Sequence, residues 1–123
     1  MTAHGPVLVG IRGMVEGELF RIERGKAVVI GRSRSCDVSL RNCKRWLEAE
    51  EAGAFPAEGP KTVSRKHLKV SCREDDTIEL EDLSSNGTFV DGQRIDRHVI
   101  SDAQGRSHEI VLGAGEAFRL EWR

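Results

Sequence analysis

No apolar stretch in this 123-residue sequence is long enough to cross a bilayer, and no basic start leads into an apolar signal region. Both absences point to a soluble, non-secreted, cytoplasmic protein with no membrane contact. There is no excess of one charge: 19 basic side chains face 20 acidic ones, for a formal net charge of -1. Wholesale binding to nucleic acid, which needs a strong basic surplus, is therefore not expected. Only three cysteines occur, Cys36, Cys43 and Cys72, without C-x-x-C spacing. They read as free thiols in a reducing compartment. No pair among them and His4, His67, His98 and His108 has the spacing of metal ligands, so neither metal nor cofactor is expected. Internal repeats and low-complexity tracts are also missing.

What the sequence does have is glycine punctuation with short β-branched runs between. These include VLVGI (7–11), ELFRI (18–22), AVVIG (27–31), DVSL (37–40), HLKVSC (67–72) and TIELEDL (77–83). TFV, QRI, HVI, HEIVL and AFRLEW follow, the last ending at Trp122. Such runs suit strands and are too short for independent helices. In the last run Phe118, Leu120 and Trp122 share one face, and Arg119, Glu121 and Arg123 the other. Asp91-Gly92 is the pair wanted by a type I′ hairpin, whose two central residues need positive φ. The expectation is one all-β domain over residues 1–123, a mostly antiparallel sandwich or barrel with its core at about 5–122.

One segment breaks the pattern. Residues 41–61, RNCKRWLEAEEAGAFPAEGPK, contain good helix formers, with Asn42 placed as N-cap and Gly53 as a stop. Cys43, Trp46 and Leu47 have the spacing of a buried stripe, leaving Glu48, Glu50 and Glu51 to water. The expectation is a short helix at 42–52, inserted between two strands, with an irregular return through Phe55-Pro56 and Gly59-Pro60.

Three polar patches lie at strand ends: GRSRS (31–35), SRKH (64–67) and SSNGT (84–88). Arginine offers a planar fork of donors, serine a rotatable donor, and asparagine both donors and an acceptor. No carboxylate stands within any of them, so they favour an anion.

Gly31-Arg32, then CDVSL, then Ser64-Arg65-Lys66-His67, then DLSSNGTFVDGQRI resemble the blocks of the forkhead-associated (FHA) domain, in the same order. Together they make a strong signal where each alone is weak. The resemblance implies an eleven-stranded β-sandwich whose loops bind phosphothreonine peptides in signalling complexes. It implies that Arg32 and Ser64 hold the phosphate and that Arg65 adds charge or touches the ligand backbone. Ser85 would contact the phosphate and Asn86 the peptide main chain, with Ser33 and Arg34 as auxiliaries. Gly31, His67, Gly87 and Thr88 would be structural. Such modules are commonly fused to other domains in a longer chain.

Plainer readings compete. Surface arginines are usually solvated, and Ser85 with Asn86 could simply build a turn. Strand parity places His67 with Lys69 and Ser71, on the exposed side. The long insertion motivates a phosphate-independent protein-binding alternative. An enzyme built on Ser64 and His67 lacks an orienting carboxylate or a nucleophile elbow, so the chain reads as non-catalytic.

Overall fold

The computed structural model describes residues 4–55 and 59–123. Eleven strands follow one another along the chain: β1 Pro6–Arg12, β2 Leu19–Arg21, β3 Ala27–Gly31, β4 Val38–Ser39, β5 Leu68–Cys72, β6 Ile78–Asp82, β7 Thr88–Val90, β8 Gln93–Ile95, β9 Arg97–Ile100, β10 His108–Leu112 and β11 Glu116–Trp122. They form two sheets, ordered β2-β1-β11-β10-β7-β8 and β4-β3-β5-β6-β9.

Alternation drives the assembly. In β5 the side chains of Leu68, Val70 and Cys72 are buried while Lys69 is exposed, and β10 repeats the pattern with His108, Ile110 and Leu112 inward. Leu8, Ile110, Leu112, Phe118 and Leu120 of the first sheet join Ile30, Leu68, Val70, Ile78 and Leu80 of the second in one apolar cluster. This is a β-sandwich, as the sequence leads one to expect. At the β7–β8 hairpin Asp91 has φ 50° and Gly92 φ 85°, the two positive values that the turn demands.

Among the described residues all ladders are antiparallel except one. β3 pairs with β4 in parallel, Ile30 opposite Val38 and Gly31 opposite Ser39. Both strands therefore end at the same pole of the sandwich. Near the other pole Gly5 and Arg123 exchange backbone hydrogen bonds of 2.8 and 2.9 Å, so the two ends of the described fold lie side by side.

The insertion leaves the core at β4. A 3₁₀ turn, Leu40–Asn42, is capped by Ser39, whose Oγ accepts from the Arg41 N–H at 3.2 Å. Helix α1 then spans Lys44–Ala52, with Cys43 rather than Asn42 at its N-cap. The expected cap is displaced because Asn42 is consumed by the 3₁₀ turn, which delays the helix by one residue. Gly53 ends α1 at φ 66°, in the left-handed region expected of a C-cap glycine. Cys43 and Trp46 are buried and Trp46 packs edge-on against Phe55, with ring centroids 4.9 Å apart. Leu47, expected in the same stripe, is half exposed. The irregular return expected after Phe55 includes residues 56–58, which lie outside the described residues; Gly59–Thr62 forms a 3₁₀ turn instead of irregular loop.

Candidate functional site: an arginine-lined rim

Three loops meet where β3 ends, β5 begins and β6 passes to β7. The first contact is backbone to backbone. The Arg32 N–H donates to the Ser64 carbonyl and the Ser33 N–H to the Arg65 carbonyl, both at 3.0 Å. This approach needs a residue without a side chain at position 31: a Cβ there would stand 2.2 Å from the Arg65 carbonyl oxygen. Gly31 thus brings the loops bearing Arg32 and Arg65 together. Cys36 adds a bond from its Sγ to the same Arg65 carbonyl, at 3.0 Å. Burial raises the Cys36 thiol pKa, against the lowering effects of the Ser33 backbone and Lys66, so it stays a neutral packing group.

The second junction runs through His67. Its side chain is wholly buried, contrary to strand parity, because it precedes β5 and is not governed by that strand's alternation. Nδ1 accepts from the Ser64 N–H at 3.0 Å, which assigns the proton to Nε2. Nε2 then donates to the Gly87 carbonyl at 2.8 Å. Burial pushes the His67 pKa down, despite the Gly87 bond and the Asp82 charge, and keeps the ring neutral. A serine hydroxyl makes the third junction: Ser64 Oγ accepts from the Ser85 N–H at 3.0 Å. The Ser64 O–H is thereby left to donate elsewhere.

The 84–88 loop is shaped from below by Asp82, whose role the sequence reading missed. One carboxylate oxygen, Oδ1, accepts from Ser84 N–H at 3.1 Å, Ser84 Oγ at 2.6 Å and Thr88 Oγ1 at 2.9 Å. Ser84 Oγ in turn accepts from the Gly87 N–H at 2.8 Å. Asp-x-Ser spacing is the sequence signal for such a turn. Thr88 is buried and Gly87 sits at φ 100°. Asn86 is exposed, and its Nδ2 donates to the Thr62 carbonyl at 2.9 Å, tying this loop to the end of the insertion.

Beside these junctions lies a concavity of about 470 Å³, lined by Arg32, Ser33, Arg34, Arg41 and Arg65. Ser64, Ser85 and Asn86 do not line it; they adjoin it through the Ser64 bonds just described. Within it one atom stands out. The Nε of Arg32 is buried and has no hydrogen-bond partner, the sole side-chain polar atom of that kind among the described residues. A buried guanidinium N–H without an acceptor is costly, and such an atom calls for a partner supplied from outside. Arg41 is the lining residue that sequence reasoning did not find. A short connection between runs reads as an antiparallel turn, whereas the parallel β3–β4 pairing carries Arg41 to the pole where Arg32 lies.

Fold and rim together have the form of a β-sandwich recognition module, with an arginine-lined end whose donors suit an anion. The sequence model of the FHA domain matches residues 28–104, and the chain belongs to that family. It is 28% identical over 90 residues, 73% of its length, to the serine/threonine-protein kinase RAD53 of Saccharomyces cerevisiae, and spans 9% of that protein. Among solved structures it is similar to the FHA domain of the CT664 protein of Chlamydia trachomatis (23% identity, TM-score 0.69, covering 94% of this chain and 95% of that one). It is also similar to the N-terminal FHA domain of S. cerevisiae Rad53p, solved with a phosphothreonine peptide (19% identity, TM-score 0.60, covering 95% of this chain and 93% of that one).

Proposed function

We propose that this chain is a non-catalytic module that docks phosphothreonine-bearing segments of partner proteins through the rim around Arg32, in the assembly of signalling complexes. The observation that carries the reading is the buried, unpartnered Nε of Arg32 at an arginine-lined concavity. A phosphate has the oxygens to accept two parallel, charge-assisted bonds from such a fork. Ser64 would add its free O–H, and Arg65 and Arg34 would add charge. Ser85 lies on the same loop junction, and the uncommitted carbonyl of Asn86 is suited to a peptide N–H. His67, Gly31, Gly87 and Thr88 act as supports. Family membership supports the same reading. A reducing, cytoplasmic setting belongs to it too, in keeping with three buried free thiols.

Affinity on the order of micromolar suits a single loop site that buries a short peptide. The test is calorimetric titration with matched phosphothreonine and threonine peptides. Binding should need the phosphate and should weaken by at least about tenfold in Arg32→Ala. Equal binding of both peptides, or full partner binding by that variant, would favour recognition through the 41–61 insertion.

A further inference from the structure

Most arginines elsewhere on this surface are matched. Arg24 pairs with Asp76, Arg45 with Glu16, Arg73 with Glu79, and Arg97 with Glu79 and Glu81. Among the described residues, the four that line the rim concavity, Arg32, Arg34, Arg41 and Arg65, form no ion pair, and no carboxylate lines it. A phosphothreonine carries roughly −1.5 to −2 charges at neutral pH. Set against four guanidinium groups, it leaves about two positive charges uncompensated.

Arg41 is held in place rather than left to wander in solvent. Its guanidinium carbon lies 5.5 Å from the centroid of the Trp46 ring, within cation–π range. Trp46 is itself buried and its indole N–H donates to Glu50 at 3.4 Å. At the other end, the Arg41 backbone is fixed to Ser39 Oγ. The insertion therefore supplies a pre-oriented cation to a cradle whose other lining groups come from the 31–35 and 64–67 loops. Stacking uses the face of the guanidinium and leaves its edge donors for an acceptor in the plane.

Resting on the phosphothreonine reading above, we propose that Arg41 builds a second anion subsite, so that the preferred ligand carries a further anionic group, a phosphate or a carboxylate, on a residue near the phosphothreonine. Insertion and rim then act as one specificity surface, in which the phosphothreonine engages Arg32 and the neighbouring anion engages Arg41, with Arg34 beside it.

The test uses the full chain and a phosphothreonine peptide series in which each neighbouring position carries serine, glutamate or phosphoserine in turn, with binding followed by fluorescence anisotropy. At one or more positions phosphoserine should raise affinity about tenfold or more over serine, the scale of one added charge-assisted hydrogen bond. Arg41→Gln should abolish that gain, bringing the phosphoserine-to-serine affinity ratio down to about one whatever it does to the singly phosphorylated peptide. Arg41→Lys, which keeps a cation near Trp46 but lacks the planar fork, should retain only part of the gain, and it provides the same test if the glutamine variant is destabilised. A gain shared by glutamate identifies a carboxylate as sufficient; a gain confined to phosphoserine identifies phosphate. Either supports the subsite. Equal affinity across the series, or a gain that survives Arg41→Gln, overturns the subsite and leaves the phosphothreonine reading standing. If no phosphopeptide exceeds its unphosphorylated control, the underlying reading fails and the subsite with it.

Discussion

His67 and Gly87 are 20 positions apart in the chain, yet the imidazole Nε2 of one donates to the carbonyl of the other at 2.8 Å. With the Ser64 N–H bonded to Nδ1, the ring is a rigid strut between two of the three rim loops. Replacing His67 with alanine removes a buried side chain and orphans a backbone donor, at a cost on the order of 2–4 kcal/mol. Urea unfolding should record that loss. Phosphopeptide affinity should fall although His67 itself touches no ligand. Wild-type stability in the variant would refute the strut.

Gly31→Ala tests the close approach of the first two loops. The added Cβ meets the Arg65 carbonyl oxygen at 2.2 Å, and that oxygen is backbone, unable to swing aside. Destabilisation of about 1–3 kcal/mol is expected from the forced shift. The Arg32–Arg65 geometry moves with it, so binding should drop further than stability alone explains. Thermal unfolding and peptide titration on the same preparation separate the two effects.

Arg32→Ala should part stability from function. Its Nε is buried without a partner, so truncation removes an unmet donor from the free protein. Stability should hold or rise slightly while phosphopeptide affinity falls by at least about tenfold, the scale of a lost charged hydrogen bond. A large drop in melting temperature would mean that Arg32 is structural.

Asp82→Ala removes one oxygen that serves three donors of the 84–88 loop. Local hydrogen exchange at residues 84–88 should quicken and overall stability should fall by about 1–3 kcal/mol. Asp82→Asn, which keeps an acceptor, should recover much of it.

Stability should also depend on pH through His108, away from the rim. Its ring nitrogens lie 2.6 Å from Asp91 and 2.7 Å from Asp102. Burial opposes the charged ring, but the two carboxylate bonds outweigh it and hold the His108 pKa above its ordinary value. A histidine raised in the folded state stabilises fully below its unfolded pKa, about 6.5, and loses that contribution as pH rises through the folded value. Burial opposes ionisation of Asp91, but the His108 bonds prevail and the pKa of both aspartates is lowered, so their contribution is present above the unfolded carboxylate value and fades as pH falls through the folded one. Melting temperature should therefore decline as pH rises above about 6.5 in the wild type, and this slope should flatten in His108→Gln.

Much of the sandwich was legible because its signals are local. Alternation in β5 and β10, the Asp91-Gly92 pair and the Gly53 stop each depend on a few consecutive residues. The rim motifs were legible as blocks for the same reason. What escaped depends on which distant pieces meet. Asn42 has the chemistry of a helix cap, but the Ser39 bond to Arg41 winds a 3₁₀ turn through it first. Arg41 stands at the start of the insertion with no motif of its own, and only the parallel pairing of β3 with β4 brings it beside Arg32. Asp82 looked like the end of a strand, and its three bonds follow from the tight turn after it.

The pairing of Gly5 with Arg123 bears on how the molecule responds to load. β1 and β11 are antiparallel neighbours, so the start of β1 and the end of β11 lie together, away from the Arg32 rim. Tension applied through those two ends would act along their hydrogen bonds and unzip them pair by pair, instead of shearing the whole ladder at once. Chain joined before β1 or after β11 would leave the sandwich away from the rim, and a short linker from Arg123 to Gly5 would allow circular permutants cut elsewhere.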